Sequence, residues 1–423
     1  MLHMEKHMPG QTIIQKIFAA HTSAGALVAP GSIIWLDLDV RTARDFGGAN
    51  VVKNYRTHYG DSPVADKDRT FFTFDLVVPA NNIPYANNQQ LCRVFAREQG
   101  IKVYDVDAGI GSHVALERGL AYPGSTFVGT DSHLNILGAV GAFGQGMGDQ
   151  DIAFAFKTGR TWFEVPPTMK VVVNGRMQPP CTARDLTLAV LGRLGSNGAL
   201  GRAIEFTGPA VEALDLPGRI TLASLVTEMG GIIGFIPPSE EVIAYARQRS
   251  GRRDIEGVYA DPDAEYVEVV EVDAPNEPLI ACPPSPANVK PVREVAGRRI
   301  DSVFLGSCSN GRFEDFAAVA EIVEGRHIAP WVMASVVPAT REVFEQMLHS
   351  GVLETLFHAG FIISNPGCGG CASGHIGMTG KGEVQVSTSN RNFPGKQGDG
   401  ETYLTSPVTA AWSALKGEIA VAE

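Results

Sequence analysis

Cysteine is scarce, with six in 423 residues. That is too few for a disulfide scaffold, which concentrates cysteines in a short chain. Positive charge is also short: 35 Lys and Arg face 46 Asp and Glu, a formal net charge of −11, and no Lys/Arg-rich run stands out. Phosphate backbones and anionic membranes are recognised by clustered cations, so neither nucleic acid nor a membrane surface is an expected partner. No stretch approaches the ~20 uninterrupted apolar residues of a membrane span. The opening MLHMEKHMPGQTIIQKIF has no signal-type apolar core. The expectation is a cytoplasmic protein in a reducing compartment. Apolar residues are plentiful at 44%, enough for large cores. At this length two or three domains are expected.

Short β-rich runs alternate with helical patterns. FFTFDLVV (71–78) is aromatic and β-branched, and NQQLCRVFAREQG follows with Leu91, Val94 and Phe95 at helical spacing and Gly100 as a stop. IKVYDVD, STFVG and RIDSVFLG read as further strands. RFEDFAAVAEIVEG carries an apolar helical stripe, and WVMASVV, REVFEQMLHSG and FIIS repeat the alternation. This pattern predicts an α/β fold with mainly parallel sheets. A seam at FEVPP (163–167) and the Pro-rich ACPPSPANVKPVREVAG (281–297) divide the chain. The expected domains are 1–164, 165–285 and 296–423, with 286–295 as a linker. No internal repeat is evident. The glycines of GAVGAFGQGMGDQD do not follow the dinucleotide fingerprint.

Chemistry concentrates at predicted strand ends, where open α/β sheets bind ligands. Cys308 follows VFLG, and the CxxC of NPGCGGC (Cys368, Cys371) follows FIIS. Four readings of the CxxC stand side by side: a disulfide, a zinc site that could recruit His375, a thioredoxin-like pair, and part of an iron–sulfur site. Cys308 alone reads most simply as a small buried hydrophobe. Elsewhere, GTDSH sets Asp131 beside His133, a carboxylate that can orient an imidazole, although Asp and Ser are also common helix caps. STSNRNFPGKQG carries Arg391 and Lys396 among small polar residues; it is either a carboxylate clamp or a solvated turn.

Taken together and in order, GTDSH…GAFGQGMG, LGSCSNGRFEDF, PGCGGC and STSNRNFPGKQG resemble the aconitase superfamily. The resemblance runs nearly end to end, and the chain looks like a free-standing large subunit of the isopropylmalate dehydratase or homoaconitase kind. It implies a three-domain architecture without the swivel domain. It also implies a 4Fe–4S cluster on Cys308, Cys368 and Cys371, with one iron open to a substrate carboxylate and the departing hydroxyl. The implied activity is a hydro-lyase acting on a hydroxylated di- or tricarboxylic acid. Arg391, Lys396, Asn390 and Ser132 are then expected to bind substrate, and Asp131 and His133, the latter paired with Glu228 of TEMGG, to act in catalysis. The swivel domain, which supplies a serine base, is expected as a separate small subunit.

The chain also departs from the family pattern. Leu38 precedes Asp39 in LDLD where His or Gln is usual, and Leu76 follows Asp75 where a His is expected to protonate the leaving hydroxyl. His113 of GSH is displaced by one position, and Lys396 stands where Arg is usual. A leucine cannot transfer a proton. His113, or a water held by Asp75, is therefore the expected substitute. The alternative is a chain without the standard activity: a cluster-bearing sensor or scaffold, or an enzyme of another reaction type.

Overall fold

A computed structural model of the chain describes residues 10–371 and 376–422. His375 lies outside them. Among the described residues no helix is long and apolar enough to cross a membrane.

Three parallel or largely parallel sheets organise the chain. The first has five strands in the order Lys102–Tyr104, Thr70–Thr73, Val40–Arg44, Thr126–Gly129, Phe143–Gly146, all parallel. The second has four parallel strands, Ile233–Phe235, Ala203–Thr207, Thr168–Asn174 and Glu268–Asp273. The third has seven strands. Its parallel run is Glu401–Leu404, Val384–Ser387, Ser302–Gly306, Met333–Val337 and Ile362–Ile363. Leu279–Ala281 and Val289–Pro291 add an antiparallel edge. The Pro-rich stretch around 286–295 is therefore built into the third sheet's edge. A two-stranded antiparallel ribbon, Ile33–Asp37 with Arg160–Glu164, lies outside these sheets.

The local reasons are those the sequence suggests. Ile83–Gln99 is a helix because Asn82 caps it, its side chain accepting from Tyr85 N–H, Pro84 fills the first turn, and Gly100 ends it in the left-handed region. The FFTFDLVV run stops being a strand at Thr73. The Asp45 carboxylate accepts the backbone N–H groups of Asp75 (3.2 Å), Leu76 (3.1 Å) and Val77 (3.0 Å) and bends the chain away from the ladder.

The first and third sheets meet at their carboxyl ends. Ile110 N–H donates to Ala339 C=O (2.8 Å), and Cys368 N–H donates to Asp75 C=O (2.8 Å). One buried apolar cluster includes Ile110, Val114, Ala339, Cys308 and Cys368, with Leu76 packed against it. A buried ion pair crosses the same seam. Glu117, ending the helix Gly111–Glu117, accepts from Arg312 Nη1 (3.0 Å) and Thr340 Oγ1 (2.7 Å). Removing one partner of a buried pair strands the other charge. Glu117→Ala is expected to cost about 3–5 kcal/mol of stability, read from the denaturation midpoint, with Glu117→Gln costing less.

Candidate active site

The site is assembled from strand ends. Arg44 is the last residue of its strand; Asp75 and Asp131 each stand two residues past theirs. From the opposing sheet come Cys308, two residues past Ser302–Gly306, and Asn390, three past Val384–Ser387. Cys368 and Cys371 follow Ile362–Ile363. Glu228 enters from the turn Leu225–Met229, beside the second sheet.

The turn that carries Cys308 is strained. Ser307 has φ 76°, the one positive φ at a non-glycine among the described residues. Such a conformation costs on the order of 1–3 kcal/mol and tends to mark functional turns. Ser309 Oγ holds the turn by donating to Thr388 C=O (3.0 Å). Near the other thiols, Gly369 has φ +58° and lies so close to the Phe304 ring that an added Cβ would stand 2.6 Å from it. Glycine is required there on both counts.

Arg44 lies at the centre. Its Nε and Nη2 donate to Asp75 Oδ1 (2.8 and 2.6 Å), Nη1 donates to Asp131 Oδ1 (2.8 Å), and Nη2 reaches Cys368 Sγ (2.9 Å). Burial would raise the Asp131 pKa, but Arg44 and His133 beside it bring it below the usual carboxylate range. Burial pushes Asp75 up despite Arg44. Asp131 also accepts His133 backbone N–H (3.0 Å), and His133 Nε2 meets Glu228 Oε1 at 3.3 Å. Arg391 Nε donates to the same Glu228 oxygen. Burial alone would raise Glu228; the charges of His133 and Arg391 hold it below its ordinary value.

His113 is wholly buried, with Nε2 2.9 Å from Cys308 C=O, and burial with nearby Arg312 lowers its pKa to about 3. It is a neutral imidazole donating Nε2–H to the Cys308 turn. Lys396 is half-buried, and its ammonium makes no hydrogen bond or ion pair with the described residues. Ser132 is exposed, its Oγ 3.4 Å from His133 Nδ1. Leu38 is not in the site: it packs in a separate core with Ala43, Val52 and Phe72. Its neighbour Asp39 pairs with His21 (2.9 Å). Leu76, by contrast, does lie against the apolar cluster that contains Cys308 and Cys368.

Two arginines are absent from the sequence reading. Besides Arg44, Arg184 is fully buried and ties the Cys308 and Asn390 loops together, donating to Ser309 Oγ (3.1 Å) and Ser389 C=O (2.6 Å). The available signal for Arg44 was its place, ending the run VRTAR at a strand's carboxyl end.

A model of the aconitase family (aconitate hydratase) matches residues 15–417. The chain belongs to the aconitase family. It is 42% identical over 412 residues to the probable 3-isopropylmalate dehydratase large subunit of Methanothermobacter thermautotrophicus, covering 96% of this chain and 98% of that protein. It is 41% identical to the probable methanogen homoaconitase large subunit of the same organism, covering 93% of each. It is 40% identical to the 3-isopropylmalate dehydratase large subunit of Sulfurihydrogenibium sp., covering 97% of this chain and 96% of that one. Among solved structures, the holo-form crystal structure of Thermococcus kodakaraensis aconitase X aligns with a TM-score of 0.50, 12% identity and 83% coverage of each chain. That likeness shares the family's fold, and the α/β architecture with mainly parallel sheets follows from it.

The three thiols suit a cluster. All are free, and Cys308 and Cys368 share one buried cluster, with Cys371 three residues past Cys368. Among the described residues no three His, Cys, Asp or Glu donors converge tightly enough for a single metal ion. Asn390 Nδ2 points at Cys308 Sγ (3.3 Å) as Arg44 does at Cys368 Sγ, the outer-sphere donation that ligating groups require. Buried Glu228 Oε2 and Asn390 Oδ1 have no hydrogen-bond partner among the described residues, which leaves acceptors facing a group still to bind.

Proposed function

We propose that the chain is the large subunit of an iron–sulfur hydro-lyase of the 3-isopropylmalate dehydratase type, acting on a hydroxylated di- or tricarboxylic acid together with a separate small subunit. The observation that carries the reading is the pair of side-chain donors aimed at Cys308 and Cys368, set beside the His133–Glu228–Arg391 group. Cys308, Cys368 and Cys371 would hold a 4Fe–4S cluster, which supplies a Lewis-acidic iron.

The chain's own residues do the rest. Arg391 spends only Nε on Glu228, so its terminal nitrogens bond no described residue and can grip a substrate carboxylate as a fork. Glu228 fixes His133 through Nε2, so His133 in its doubly protonated form would give the Nδ1 proton, beside Ser132 Oγ (3.4 Å), to the departing hydroxyl as water and be left neutral with Nε2–H still on Glu228. Asp131 sets the His133 backbone, and His113 holds the Cys308 turn. The proton lost from substrate carbon goes to a base on the small subunit, as the family resemblance implies. Asp75, taken up by Arg44 and by Gly111 N–H (2.9 Å), shapes the floor of the site.

The test is anaerobic reconstitution with the small subunit and a panel of malate- and citrate-like acids, following the enoate by absorbance. Interconversion of a hydroxy acid and its enoate is expected. Cys308→Ser, Cys368→Ser and Cys371→Ser should each lower bound iron and sulfide and abolish turnover. Apolar Leu76 beside the thiols favours one second reading, a cluster-bearing chain without standard dehydratase activity. A fully loaded protein silent on the whole panel would select it.

A further inference from the structure

Arg44 is buried and its guanidinium is occupied on three sides, by Asp75, Asp131 and Cys368 Sγ. An arginine committed to two carboxylates and a sulfur is poorly placed to bind substrate as well. Its reach to Cys368, across 324 residues of chain, instead puts a permanent positive charge and an N–H on one sulfur of the thiol set. Hydrogen bonds to cluster sulfurs and local charge are among the levers that set an iron–sulfur potential. Adding an electron makes a cluster more negative, so a cation 2.9 Å from a ligating sulfur favours the reduced form.

We propose that Arg44 is a positioning residue that tunes the cluster, raising its reduction potential through Cys368 while its other nitrogens fix Asp75 and Asp131. The role rests on the cluster reading above. The effect is asymmetric within the site, because Cys308 receives only the neutral amide of Asn390. Removing the Arg44 charge also leaves Asp131, which His133 still supports, as a carboxylate near the cluster that the guanidinium no longer offsets, and both changes act in the same direction.

The experiment compares reconstituted wild type, Arg44→Gln and Arg44→Lys by iron and sulfide content, by dithionite titration followed with EPR, and by the iron–thiolate bands in resonance Raman. Arg44→Gln is expected to have a lower midpoint potential and shifted iron–thiolate bands. Arg44→Lys, which keeps the charge but cannot span all three partners, should fall between and serves where the glutamine variant does not fold. Loaded variants with wild-type potentials and bands would overturn the role of Arg44 alone. A folded Arg44→Gln that takes up no cluster would overturn it too, since Arg44 would then serve assembly instead. A wild type that binds no iron and sulfide would overturn the cluster reading and this role together.

Discussion

Replacing His133 with asparagine is expected to lower kcat for dehydration by about 10²–10⁴-fold, the usual contribution of a positioned proton donor. His133 pairs through Nε2 with Glu228, the carboxylate that also holds Arg391, and its Nδ1 meets only the exposed Ser132 hydroxyl at 3.4 Å. His113 does not share this standing. Its Nε2 is committed to Cys308 C=O, its Nδ1 is buried with no hydrogen-bond partner among the described residues, and burial with nearby Arg312 lowers its pKa to about 3. The contrast separates the two: His133→Asn should reduce kcat with iron and sulfide unchanged, whereas His113→Asn should disturb the Cys308 turn and reduce loading. Steady-state rates normalised to iron content measure both. A His133→Asn enzyme within a few-fold of wild type would remove the residue from proton transfer and return attention to water held near Asp75.

Arg391→Ala is expected to cost about 2–5 kcal/mol in kcat/KM, roughly 30- to several-thousand-fold, as when one partner of a buried, hydrogen-bonded charge pair is truncated. Two losses combine. The substrate carboxylate loses its fork, and buried Glu228 loses one of its two side-chain partners, the one that is always charged. Arg391→Lys restores charge but not bidentate geometry, so only partial recovery is expected. Lys396→Ala is expected to do far less in the large subunit alone, since no described side chain holds its ammonium in the site. A substrate analogue's affinity, measured by calorimetry, distinguishes lost binding from lost chemistry.

The position of the cysteines at strand ends was legible because that signal is local. Each follows a strand-like run, and a turn at a parallel strand's carboxyl end is where ligands gather. Arg44 was not legible because its partners lie 31, 87 and 324 residues away. Within VRTAR an arginine looks like surface charge on an edge. The reading that looked for a missing polar residue at Leu38 erred for a related reason. Leu38 and Asp39 precede the strand Val40–Arg44, on the side facing away from the ligand end, and the strand's other end carries the charged group. The alternation of strands and helices was recovered well, because each element buries a face fixed by its own periodicity. The edge strand Val289–Pro291 was missed because its pairing with Leu279–Ala281 is decided by the sheet, not by the proline that ends it.

The seam between the first and third sheets also sets an order of events during synthesis. Chains leave the ribosome at about 5–20 residues per second. Arg44 and Cys368 are separated by 324 residues, so roughly 16–65 s pass before the arginine's sulfur partner exists. The first sheet can pair in that interval, and its Asp75, Asp131 and Arg44 must then wait, solvated, for the last third of the polypeptide. A cluster spanning the three thiols would consequently be loaded after translation, on a nearly finished fold, and a prematurely terminated chain that stops before NPGCGGC holds only one of the three thiols.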